Sequence, residues 1–320
     1  MPIAEQFELT TISNGEYETV NPPQRMANTL NIAYGGYALA TACKAATLSV
    51  DGPYHIYTVL GNYLGPASTD RPLRARVRTV RQTRSFATRQ VEISQSAGEQ
   101  GERICLIALV DFQIREKETL VAYSRSPSKT YTSWENCSTE ADVHQKLLAE
   151  GKVSQDVLDE DSRTFGLVKN IFEYRPCPEG IFAQNVHGIA KNLALTQDEL
   201  PLTQRSSADW IRCVEDLPKA MDHVALMAFT LDAFIASLPL TLNHRFLDDA
   251  SACSSLDFAL RIFNTDIDMA RWHLREVTTN VGSEGRSYGE SWLWDEDGNA
   301  VACMTQQCIL RPKPKNKGRL

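Results

Sequence analysis

Residues 272–311, WHLREVTTNVGSEGRSYGESWLWDEDGNAVACMTQQCILR, constrain this chain more than any other stretch. They read as three long β-rich runs joined by two tight turns. The first turn is Gly282-Ser283-Glu284-Gly285 and the second is Asp295-Glu296-Asp297-Gly298-Asn299. Polar clusters with glycine between β-branched and aromatic runs are hairpin signals. Val277, Tyr288, Trp292, Trp294 and Val301 suit a pleated surface. No proline interrupts the runs, so their ladders can extend over a broad antiparallel sheet. Such a sheet must bury one face against something.

Two apolar segments are candidates for what it wraps. Residues 37–50, after Gly35-Gly36, carry small and apolar residues at helical spacing and end at Asp51-Gly52-Pro53. Alanines on every side suit a helix lying close against a sheet. Residues 220–237, KAMDHVALMAFTLDAFIA with its preceding Lys219, predict a second helix. Around the first lie a strand pair at 5–20, turning at Ser13-Asn14-Gly15, and strands near 54–64, 72–80, 86–95 and 103–113. Around the second lie strands at FEYRPC, SSADWIRCVE and SSLDFALRIF, followed by the three-run stretch. Setting Arg84-Ser85-Phe86-Ala87 against Arg286-Ser287-Tyr288-Gly289 places the halves in register. It also pairs the strand ending in Gln113 with the one ending in Gln306 and Gln307. A period of about 200 residues is a domain duplication. The fold class is α+β, two tandem antiparallel sheets each wrapped around a long helix. The expected units are 1–123 and 166–312, with a polar linker at 124–165 that holds one helix near 139–150. A basic tail at 313–320 is expected to be disordered.

The net charge of −7 argues against a nucleic-acid partner. Eight cysteines without a CxxC pair read as buried thiols, not as a metal site or disulfide framework. Asn136-Cys137-Ser138 has the form of a glycosylation sequon without a secretory context. No apolar run reaches the ~18 residues of a membrane span, and the N-terminus lacks the pattern of a signal peptide. The expected location is cytoplasmic. Gly318-Arg319-Leu320 offers a peroxisomal alternative, although it lacks the usual small first residue. An open sheet edge makes a homo-oligomer an expectation.

The pattern resembles the type II acyl-CoA thioesterases of double hotdog fold. The residues that carry the resemblance are Tyr34-Gly35-Gly36-Tyr37, Tyr63-Leu64-Gly65-Pro66 and residues 84–89 in the first half. Phe172-Glu173-Tyr174-Arg175-Pro176 carries it across the junction. In the second half they are Leu256-Asp257, residues 272–286, Asp297-Gly298 and Gln306 ahead of Arg311. The resemblance implies hydrolysis of an acyl-CoA or other acyl thioester without cofactor or metal. An Asp acts as base, and a Ser or Thr with a Gln holds the attacking water.

Carried onto this sequence, the resemblance implies Asp257 as the base and Gln306 as one water-holder. Asp257 shares its strand face with Ala259 and Arg261, and Gln306 shares its face with Ala300, Ala302 and Met304. A surface carboxylate near Arg261 and an exposed strand end are the ordinary readings of these two positions. Ungapped counting puts Asn280 where the family has its hydroxyl. Thr279 points to the other face unless a bulge intervenes, whereas Thr278 keeps the face. Gly36 and Tyr37 are expected at the substrate, through N–H groups offered to an oxyanion at the helix start. A tight helix start is the structural alternative, and Tyr37 replaces the family's usual amide residue. Asp232, expected in mid-helix, is the second candidate base. Arg74, Arg76 and Arg78 form a basic strand face that either meets coenzyme A phosphates or is simply solvated. His187, His223, His244 and His273 read as structural. The alternatives are a hotdog dehydratase or tailoring enzyme of polyketide metabolism, and a non-catalytic acyl-binding protein.

Overall fold

In the computed structural model, residues 2–28, 30–98, 101–217 and 219–314 are described. In chain order the helices are α1 (Ile3–Gln6), α2 (Gly35–Leu48), α3 (Glu140–Ala149), α4 (Gln155–Ile171), α5 (Phe182–Asn185), α6 (Ala220–Leu231) and α7 (Leu238–Thr241). The first-half strands are β1 (Leu9–Ser13), β2 (Glu16–Thr19), β3 (Tyr54–Tyr63), β4 (Arg74–Gln82), β5 (Phe86–Ser96) and β6 (Glu102–Ile114). The second half adds β7 (Phe172–Pro176), β8 (Ser206–Cys213), β9 (Ala250–Ser255), β10 (Asp257–Ile262), β11 (His273–Ser283), β12 (Arg286–Trp294) and β13 (Ala300–Pro312).

The strands form one continuous sheet in the order β1-β2-β4-β5-β6-β3-β10-β13-β12-β11-β8-β7, with β9 added to β13. The halves join where β3 pairs antiparallel with β10, Asp257 lying opposite Asn62. The three runs at 272–311 are β11, β12 and β13. Their first turn places Glu284 and Gly285 at φ 56° and 69°, as a two-residue hairpin turn requires. In the second turn Asp295 Oδ1 accepts the N–H groups of Asp297 and Asn299.

Helices α2 and α6 lie side by side within this sheet. At one end the Lys44 ammonium meets the Asp222 carboxylate at 2.7 Å, both buried. At the other, Gly36 approaches α6 so closely that a Cβ would stand 2.9 Å from the Phe229 carbonyl oxygen. Lys44 is late in α2 and Asp222 early in α6, so the helices run antiparallel. The alanines of α2 are all buried, which explains why the segment tolerates so little bulk.

Three expectations change. Helix α6 stops at Leu231 instead of running to 237, because Phe234 takes a left-handed conformation (φ 73°). Asp232 is therefore the residue that caps the helix, not a mid-helix residue. Residues 124–165 hold α3 and most of a second helix, α4, whose Leu158, Phe165, Val168 and Ile171 are buried. The register between the halves also shifts. Gln82 pairs with Ala87 and Arg81 with Thr88, while Gly282 pairs with Ser287 and Val281 with Tyr288. Ala87 thus corresponds to Ser287 and not Gly289. Seven of the eight cysteines are buried thiols. Among the described residues no helix is long and apolar enough to cross a membrane. Residues 315–320, with the Gly318-Arg319-Leu320 sequence, lie outside the described residues.

Candidate active site

The joint between the halves brings together a carboxylate, an amide and two phenols. Asp232 leaves the C-terminal end of α6 beneath the first turn of α2. Its Oδ1 accepts from the Tyr63 phenol of β3 at 2.8 Å and from Gln306 Nε2 of β13 at 2.6 Å. The Gly36 N–H also bonds to this carboxylate, and the Tyr34 phenol lies beside it. Tyr34 donates to the Phe229 carbonyl at 2.6 Å and packs edge-on against the Phe229 ring. Ser255 Oγ donates to Gln306 Oε1 at 3.0 Å, which fixes the amide with its nitrogen toward Asp232.

Burial drives the Asp232 pKa up to about 6 from 3.8, and the bonds from Tyr63 and Gln306 keep it from going higher. Burial, and then the Asp232 charge, push both phenols well above the usual tyrosine range, so they stay protonated as donors. A carboxyl poised near pH 6 can take a proton at neutral pH and return it.

Asp257 does not join this group. It sits on β10 opposite the Gln307 end of β13 and accepts the Gln307 N–H at 3.2 Å. Gln306 is fully buried whereas Gln307 is exposed. Strand parity sends neighbours to opposite faces, so Asp257 and Gln306 cannot hold one water between them. Asp232, not Asp257, is the carboxylate bonded to Gln306.

The hydroxyl position is decided by a bulge. Thr279 pairs with Gly289 and Val281 with Tyr288, leaving Asn280 as the extra residue. Gly289 in turn pairs with Gln306. Thr279, Gly289 and Gln306 therefore stand in one cross-strand row, and Thr279 and Gln306 both face the core. Asn280, half-buried, is displaced from that row. Glycine at the middle position is required, since a Cβ on Gly289 would meet the Thr278 carbonyl at 2.6 Å and Ile235 Cγ2 at 3.2 Å.

Gly36 and Tyr37 have other duties than those expected. The Gly36 N–H is bonded to Asp232 and the Tyr37 N–H to the Tyr34 carbonyl, so neither is free for an oxyanion. The Tyr37 phenol is buried, donates to Gln6 Oε1 and packs on Phe7 and Phe229. On the basic strand, Arg74 is paired with Glu18 and Glu102, Arg76 with Glu16, and Arg78 with Gln90. Tyr63, Ser255 and Gly289 were not assigned a role from sequence. Only the long-range pairing of β3, β9 and β12 brings them to Asp232 and Gln306.

Each half of the chain matches one half of a known pair of domains. The model of the acyl-CoA thioesterase N-terminal domain matches residues 22–113, and that of the acyl-CoA thioesterase C-terminal domain matches residues 159–310. The chain belongs to the acyl-CoA thioesterase family. Acyl-CoA thioesterase 2 of Haemophilus influenzae is 21% identical over 283 residues, which cover 87% of each chain. The acyl-CoA thioesterase II TesB2 from Mycobacterium marinum superposes with a TM-score of 0.69 at 16% identity, covering 97% of this chain and 98% of that one. A hot dog fold protein from Alicyclobacillus acidocaldarius superposes with a TM-score of 0.68 at 14% identity, covering 98% of both. These likenesses establish the double hotdog fold.

This thioesterase carries the constellation in one half only. By the strand pairing, Thr79, Arg89 and Val110 correspond to Thr279, Gly289 and Gln306. Ser49 caps α2 as Asp232 caps α6. The Arg89 side chain fills the first-half position and bonds to Ser49, Arg81 and Gln82. Where the second half has the Asp232 carboxylate and a glycine covered by Ile235, the first has an arginine.

One group among the described residues has the composition of a metal centre. Glu140, Asp161 and His187 bring ligand atoms within 4.8 Å of one another. The Lys169 ammonium bonds to both carboxylates, at 2.9 Å from Glu140, and His187 Nδ1 lies 2.9 Å from Asp161. Burial alone would raise the Asp161 pKa, but His187 and Lys169 hold it well below the usual range. The lysine supplies the cation that a metal would otherwise provide, so the cluster acts as an ion network tying α3 and α4 to the second half.

Proposed function

We propose that this thioesterase hydrolyses acyl-CoA thioesters with Asp232 as general base. Asp232 takes a proton from water as the water oxygen bonds to the thioester carbonyl carbon. The Gln306 amide and the Ser255 hydroxyl bonded to it orient that water. As the tetrahedral adduct collapses, the C–S bond breaks and the thiolate recovers the proton from Asp232, leaving free acid and free thiol. No covalent acyl-enzyme is needed. Tyr63 and the Gly36 N–H hold the base in place, and Ser255 sets the direction of the Gln306 amide.

The observation that carries this reading is the hydrogen bond between Gln306 and a buried Asp232 whose pKa is pushed up to about 6. The test is thiol release from acyl-CoAs of graded chain length by the wild type, Asp232→Asn and Asp257→Asn. Asp232→Asn is expected to lose about 10²-fold or more of kcat, and Asp257→Asn to stay within a few-fold of wild type. Loss of activity in Asp257→Asn alone would overturn the assignment. Loss of water from a hydroxyacyl substrate, with no thiol released from any acyl-CoA, would replace hydrolysis with dehydration.

A further inference from the structure

The far end of the Thr279–Gly289–Gln306 row opens onto a cleft of about 370 Å³. Its walls are the turn end of β11 and β12, the end of β13, and the segment from Pro239 to Ala250. Three features distinguish it. Arg245 and Arg311 both line it and both are exposed. Neither forms an ion pair among the described residues, unlike Arg74, Arg76 and Arg81 of β4. The carboxylate in its wall, Asp249, is already bonded to Lys191 and to the Phe246 N–H. Ser287, 4% exposed, also lines the cleft, and its Oγ has no hydrogen-bond partner among the described residues. A buried hydroxyl without a partner is costly, and a ligand acceptor would satisfy it.

Two guanidiniums outside any salt bridge, that of Arg245 sharing its charge with Asp249, and an unsatisfied donor suit an anion, on a protein whose net charge is −7. Arginine binds phosphate through paired N–H groups. Thr279 lines the cleft, and Gln306 lies two strand spacings further along the same cross-strand row, about 10 Å. That distance is within reach of a pantetheine arm.

We propose that this cleft holds the phosphate-bearing end of the thioester's carrier, with Arg245 and Arg311 as its cations and Ser287 as a neutral donor. The assignment rests on the reading of Asp232 and Gln306 as the site of hydrolysis. The phosphates of coenzyme A and the phosphate of a carrier protein's phosphopantetheine share this chemistry.

The test compares one acyl group carried on coenzyme A, on 4′-phosphopantetheine and on pantetheine, using wild type, Arg245→Ala/Arg311→Ala and Ser287→Ala. For the double variant, KM for acyl-CoA is expected to rise about tenfold or more with kcat unchanged. KM for acyl-pantetheine should not move. Raising salt should weaken acyl-CoA binding in the wild type and much less in the double variant. A penalty shared by coenzyme A and phosphopantetheine thioesters assigns the phosphate next to the pantetheine arm. A penalty on coenzyme A alone assigns the phosphates nearer the nucleoside, and both outcomes support the site. Equal penalties on acyl-pantetheine and acyl-CoA, or none on either, would overturn it. If the wild type releases no thiol but still binds coenzyme A in an arginine-dependent way by calorimetry, the hydrolase reading fails and the phosphate site stands.

Discussion

Replacing Asp232 by Asn should abolish hydrolysis and at the same time make the protein more stable above neutral pH. The carboxyl binds its proton more tightly folded than unfolded, with the pKa moving from 3.8 to about 6. The folded state therefore holds the extra proton across that window, and stability falls as pH rises through it. At about 1.4 kcal/mol per pKa unit, the ionised side chain costs the folded state about 3 kcal/mol at pH 8. Asparagine keeps an acceptor for Tyr63 and Gln306 but turns an amide toward the Gly36 N–H, which loses about 1 kcal/mol. The expected net gain is about 2 kcal/mol at pH 8, shrinking toward zero or below as pH falls past 3.8, where the wild-type carboxyl becomes protonated in both states. Denaturant titrations of both proteins at a series of pH values measure this directly. In parallel, wild-type kcat/KM should rise with pH through an apparent pKa near 6. A stability difference that does not vary between pH 4 and 7 would refute the argument that a buried, destabilised carboxylate is the base.

Gln306→Glu would set a second carboxyl against Asp232 and raise the pKa of the pair; the acid limb of the pH–rate profile should move upward by one unit or more. Gly36→Ala drives a methyl against the Tyr34 ring and the Phe229 carbonyl, so a loss of about 1–3 kcal/mol is expected, measured as a lowered denaturation midpoint together with reduced kcat. Arg275 is buried and doubly bonded to Asp209, donates to the Thr230 carbonyl near the end of α6, and lies over the Phe234 ring at 5.0 Å. Arg275→Met should cost about 3–5 kcal/mol by stranding Asp209, whereas Arg275→Met/Asp209→Leu should recover most of that stability while kcat stays low, because α6 loses the contacts that set its C-terminal end.

The sequence by itself determined the local pieces. Alternation of β-branched and aromatic residues fixed β11–β13, Glu284-Gly285 and Asp295–Gly298 fixed their turns, and the alanines of α2 announced a helix packed too tightly for larger side chains. These signals were legible because turn chemistry and side-chain periodicity act over a few neighbouring residues. Helix α4 was equally legible in the spacing of Leu158, Phe165, Val168 and Ile171, but its many acidic residues made it read as linker.

The candidate site was decided by tertiary structure, where single residues switch meaning. The left-handed Phe234 ends α6 early and frees Asp232 to meet Gln306. One extra residue at Asn280 turns Thr279 to the core. The parity of β13 separates Gln306 from Gln307, and with it separates the core from Asp257. A one-residue change in register reverses the face of every following side chain, and nothing in the local sequence records which register the distant partner imposes. The Thr279–Gly289–Gln306 row lies wholly within the second half, where glycine stands at the position that Arg89 occupies in the first.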